Sequence, residues 1–99
     1  MKSNCNGPQI WYSENERSSK VAHLIQKSLN TDLNSHKRKV KKANGAYKIL
    51  RCYTNIPSII LECGFLSNPE EETKLKSEVY QGMLADPIAK SINEYFELT

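Results

Sequence analysis

Residues 58–71 read SIILECGFLSNPEE. Ile59, Ile60 and Leu61 run without polar alternation into Glu62, and Cys63, Gly64, Phe65 and Leu66 follow. A short apolar run lacking alternation predicts a strand covered on both faces, as inside a parallel or mixed sheet with helices above and below. The next residues stop that strand and start a helix. Asn68 suits a cap, Pro69 suits the first helical position, and Glu71 stands three residues after the cap. Glu70, Glu71 and Glu72 place negative charge at the positive end of that helix, which explains them without a metal.

Upstream, PQIWYS (8–13) is short, partly aromatic and closed by Ser13, which predicts a strand. Ser13 followed by Glu16 has the spacing of a capping box. Val21, Leu24, Ile25 and Leu29 then recur at helical spacing, predicting a helix over 14–30 packed on the sheet through that stripe. His23 lies just off the stripe and has no histidine four residues away, so it reads as structural. Residues 30–46 are polar and basic and contain an Asn-Gly pair, so they read as a loop. AYKILR (46–51) alternates and predicts a second strand. Downstream, Val79, Met83, Ile88, Ile92 and Phe96 form an apolar stripe broken at Asp86-Pro87. There the helix either kinks, because proline lacks an N–H, or restarts with Asp86 as cap. The predicted order, strand–helix–strand–strand–helix–helix, is an α/β layered sheet with helices on both faces.

A chain of 99 residues is expected to form one domain, 1–99, with one modest core. No segment approaches the roughly 20 apolar residues of a membrane helix. The N-terminus lacks the apolar region of a secretory signal. The three cysteines, Cys5, Cys52 and Cys63, contain no C-x-x-C pair. That argues against a disulfide framework and a zinc finger, so they read as reduced thiols, with Cys63 a small buried hydrophobe. Residues 1–50 carry ten Lys/Arg against three acids; residues 51–99 carry four against eight. Much of the positive excess is HKRKVKK, 36–42. This block reads as a solvated loop; its functional alternative is a patch for an anionic polymer. Nucleic acid is disfavoured, because no aromatics interleave with the basic run.

Glu62 is the residue that composition does not explain. Burying an unpaired carboxylate costs several kcal/mol. It either pairs with Arg51, Lys48 or a backbone donor, or it works as an acid or base at the carboxyl end of a central strand, where α/β sheets open their ligand crevices.

The segments GPQIWYSENERSSKVAHLIQKSLN, AYKILR and IPSIILECGFLSNPEEETKLKS occur in the order found in the C-terminal half of the zinc-dependent N-acetylmuramoyl-L-alanine amidases. The chain resembles those cell-wall and spore-cortex hydrolases from about Gly7 to Phe96, most specifically through ECGFLSNPEE. The resemblance implies hydrolysis of the amide between N-acetylmuramic acid and L-alanine in peptidoglycan. It implies a zinc ion held by two histidines and a glutamate, and a further glutamate, here Glu62, as general base. The family's zinc ligands lie upstream of the segment matching Gly7–Ser13. Neither His23 nor His36 falls at a ligand position, and Glu14 and Glu16 belong to a helix cap. The chain is therefore expected to be a truncated domain with the base but no metal cage, and inactive alone. An uncovered sheet edge is expected to pair with the missing half or with a second copy. By resemblance it belongs at the cell wall or spore cortex. The alternative is a non-catalytic module gripping peptidoglycan or an anionic polymer through residues 36–42.

Overall fold

The computed structural model describes residues 7–33, 37–45, 47–51, 55–64 and 68–98. Cys5, His36 and Cys52 lie outside them. The described elements are β1 (Gln9–Tyr12), α1 (Glu16–Asp32), β2 (Lys41–Lys42), α2 (Lys48–Arg51), β3 (Ile59–Glu62), α3 (Pro69–Leu75) and α4 (Glu78–Leu98). The class is α/β, as the element pattern predicts. The sheet is mixed, in the order β2-β1-β3. β1 is central, parallel to β2 and antiparallel to β3, with Ile10 opposite Leu61 and Trp11 opposite Ile60.

Because side chains alternate along a strand, Ile10, Tyr12, Ile59 and Leu61 share one face of the sheet. Gln9, Trp11, Ile60 and Glu62 share the other. The first face receives α1, whose Ala22, Ile25 and Leu29 are buried with Ile10. Each buried leucine or isoleucine side chain among them contributes roughly 1.5–3 kcal/mol. α4 packs along α1 and buries Tyr80, Leu84, Pro87, Ser91 and Tyr95. The Ser91 hydroxyl donates to the Leu24 carbonyl at 3.3 Å.

α1 begins later than the capping box suggests. Asn15 is the cap, accepting the Ser18 N–H at 2.7 Å, and Ser13 turns inward to meet the buried Ser18 hydroxyl at 2.5 Å. Ser18 also accepts the Ser58 N–H at 2.7 Å. One hydroxyl therefore fastens the end of β1, the start of α1 and the approach to β3. α3 starts as predicted, with Asn68 Oδ1 accepting from the N–H groups of Glu70 and Glu71.

Four expectations are corrected. Residues 48–51 form a single helical turn, not a strand. Leu50 is the buried residue there, and its N–H returns to the Tyr47 carbonyl at 3.1 Å; six alternating residues fit one helical turn as well as a short strand. The basic segment is not all loop, since Lys41 and Lys42 pair with Trp11 and Tyr12 and Ala43 N–H donates to the Tyr12 carbonyl at 3.0 Å. Charged residues of this kind suit an edge. β3 is half-buried, not covered on both faces, and among the described residues it pairs with β1 alone. Finally, α4 is one helix with Pro87 inside it. Its buried stripe runs through Tyr80, Leu84, Pro87, Ser91 and Tyr95, leaving Val79, Met83, Ile92 and Phe96 exposed.

Candidate active site

Glu62 ends β3 on the sheet face opposite α1. It is exposed, so its anticipated burial is corrected. Neither Lys48 nor Arg51 forms an ion pair with it; its described partner is the Trp11 indole, whose Nε1–H donates to Oε1 at 2.8 Å. The pair is diagonal across the β1–β3 ladder, since Trp11 faces Ile60 and Glu62 lies two residues on.

Trp11 is itself confined. Lys41, its register partner on β2, places Nζ 5.2 Å from the ring centroid. Tyr47 meets the indole edge-on, with centroids 5.5 Å apart and planes at 67°. The basic segment thus lends at least one cation to the sheet face. Its other cations are partly committed elsewhere. Arg38 Nε donates to the Gln9 side chain at 3.0 Å and Lys37 Nζ to the Asn30 carbonyl at 2.8 Å.

The acid that is buried is Glu71, at 1% exposure. Its Oε1 accepts the Gly7 N–H at 2.5 Å, and Lys74 Nζ lies 3.9 Å from Oε2. Gly7 has φ +88°, a conformation that favours glycine. Gly64 supplies the space: a Cβ there would come within 3.2 Å of Glu71 Oε1 and of Leu75 Cδ1. Reading Glu70–Glu72 only as acids at a helix start missed this clamp. The glycine after Glu62-Cys63 was its one visible sign. Burial, then the charge of Glu71 and then Cys63, push the Tyr80 hydroxyl above its ordinary value of 10.0. Among the described residues that hydroxyl has no hydrogen-bond partner. Burial likewise raises the pKa of Cys63, a free thiol packed against the core.

His23 is structural: its Nδ1–H donates to the Ser19 carbonyl at 2.7 Å and its ring tilts against Tyr12. Among the described residues no three His, Cys, Asp or Glu side chains converge, so they do not fit a metal site. A cleft of about 710 Å³ lies between the start of α1 and the end of α4, lined by Arg17, Lys20, Tyr95 and Phe96 among others. Glu62 is not in it; its carboxylate stands on an open sheet face. No described helix is long and apolar enough to cross a membrane.

Comparison with known proteins places this arrangement. The family model described as N-acetylmuramoyl-L-alanine amidase matches residues 1–94. The germination-specific N-acetylmuramoyl-L-alanine amidase of Bacillus subtilis is 42% identical over 85 residues, covering 86% of this chain and 34% of that protein. A probable cell wall amidase of Staphylococcus aureus, LytH, is 30% identical over 95 residues, covering 95% of this chain and 31% of its own. The CwlD amidase of Clostridioides difficile, solved in complex with the GerS lipoprotein, superposes with a TM-score of 0.88 at 33% identity, covering 100% of this chain and 50% of that one. The chain spans about a third of the curated relatives' length and half of the solved one. From a match running through the strand that carries Glu62 and the clamp at Glu71, we conclude that the chain belongs to the N-acetylmuramoyl-L-alanine amidase family.

Proposed function

We propose that this chain is the C-terminal part of a peptidoglycan amidase domain, and that Glu62 is its general base. The domain would cleave the amide between N-acetylmuramic acid and the L-alanine of the stem peptide, at the cell wall or spore cortex, a reading supported by relatives named a germination-specific amidase and a probable cell wall amidase. The carrying observation is the Glu62 carboxylate at the end of β3, with one oxygen held by Trp11 and the other without a partner among the described residues. The free oxygen is suited to take a proton from an attacking water and return it to the departing amine. Zinc, which the family resemblance implies, would be held by residues outside those described.

The open flank of β3 supports a further part of the reading. Among the described residues β3 has one partner, and such a strand presents unpaired backbone groups; Ile60 is only half-buried. The upstream half of the domain would add a strand there; failing that, a second copy of the chain would.

The test is complementation. The upstream half of a family domain, supplied by fusion or in trans with zinc, should restore release of stem peptides from muropeptides. Glu62→Gln should then lower the rate by about 10²- to 10⁴-fold, the usual contribution of general base catalysis. Restored activity that survives Glu62→Gln would remove the assignment.

A further inference from the structure

We propose that Trp11 is a positioning residue for the Glu62 carboxylate: its indole N–H fixes one oxygen so that the other faces the open sheet surface. This rests on Glu62 being the base. The indole donates at 2.8 Å from a neighbouring strand, not from a flexible loop. Three contacts restrain the ring that carries the donor. Its backbone is paired on both sides, with Lys41 and with Ile60. The Lys41 ammonium sits over its face, and the Tyr47 ring packs against it in a T-shaped arrangement. Cation–π and edge-to-face aromatic contacts of this kind favour one orientation of the ring over others.

An exposed glutamate has three side-chain torsions and pays for any fixed geometry in rotamer entropy. A base needs that geometry, because proton transfer requires hydrogen-bond reach to one particular water. The sheet supplies it through Trp11. Tryptophan is suited to this: its N–H is a donor only, so it cannot take the proton that Glu62 is to receive.

The chain has a single tryptophan, so its indole N–H gives one ¹⁵N-resolved NMR signal. In the chain as it stands, Glu62→Ala should move that signal toward the position of a free indole and speed exchange of its proton with water several-fold. Glu62→Gln, which keeps an acceptor oxygen, should shift it less. An indole signal identical in the unsubstituted chain and Glu62→Ala would overturn the hydrogen bond and the proposal with it. In the domain completed by its upstream half, Trp11→Phe keeps an aromatic side chain at this strand position but loses the N–H donor. It should lower kcat by about tenfold with KM unchanged, short of the roughly hundredfold that a 1 Å misplacement can cost. Full kcat in Trp11→Phe, with Glu62→Gln inactive, would overturn the positioning role and leave the base intact. Full activity in Glu62→Gln would overturn the base itself, whatever the indole reports.

Discussion

Glu71, at the first turn of α3, accepts the backbone N–H of Gly7, 64 positions earlier in the chain. The buried carboxylate thus ties the approach to β1 to the helix that follows β3. Removing it strands a buried donor and opens a void. A hydrogen bond to a charged group contributes about 1.5–3 kcal/mol net. Glu71→Ala should therefore lower the melting temperature by roughly 10–20 °C in a domain of this size. Thermal unfolding followed by circular dichroism measures it; an unchanged midpoint would mean that the clamp is dispensable.

Gly64→Ala should disturb the same clamp from the other side. Its Cβ would meet the Glu71 carboxylate and Leu75 at 3.2 Å, so those two side chains must give way. Overpacking of this kind costs about 1–3 kcal/mol. Urea denaturation should show a lower midpoint, and the loss should shrink when Glu71 is already alanine, because the two changes share a contact.

Much of this fold was legible from residue order alone. The α3 start at Asn68-Pro69 and the Val21-Ile25-Leu29 face of α1 are local signals, satisfied by neighbours in sequence. β2 was not legible, because two lysines have no strand preference of their own and become a strand only by pairing with Trp11 and Tyr12. The buried side of α4 was misjudged because Tyr80 and Tyr95 cover more of the core than the aliphatic Val79 and Ile92. At the candidate site, Glu62 stood out in sequence, but its exposure did not. Continuous apolarity in β3 suggests cover on both faces, whereas one flank of the strand is unpaired among the described residues. Trp11 gave no sequence sign of its role, since its partner lies on another strand.

Gln26 should prove costly to replace. Its Oε1 accepts the Ile10 N–H at 3.0 Å and its Nε2 donates to the Pro8 carbonyl at 3.0 Å, both within the core. Gln26→Leu keeps the volume but leaves two backbone groups unpaired. A loss of about 2–4 kcal/mol is expected, from roughly 1–3 kcal/mol per stranded group, read from chemical denaturation.

Tyr80 should make stability fall in alkali. Its hydroxyl is held above 10.0 in the folded chain, so the folded state keeps its proton after the unfolded chain has lost it. Its contribution is thus complete below the unfolded value and disappears as pH rises through the folded one. Tyr80→Phe should flatten the decline above pH 10 and cost little at pH 7, because among the described residues the hydroxyl has no hydrogen-bond partner to lose. Equal slopes in the two proteins, measured by denaturation across pH 8–11, would contradict this.

Along the flank of β1 beyond the two-residue β2, side-chain amides stand in for a strand. Gln9 reaches the Lys39 carbonyl, Gln26 caps Ile10 and Pro8, and Asn30 both donates to and accepts from the Arg38 backbone. Three side chains thereby do the sealing that a longer ladder would share among many peptide groups. The seal along this flank therefore depends on the amides of Gln9, Gln26 and Asn30 more than on the charges of the basic segment.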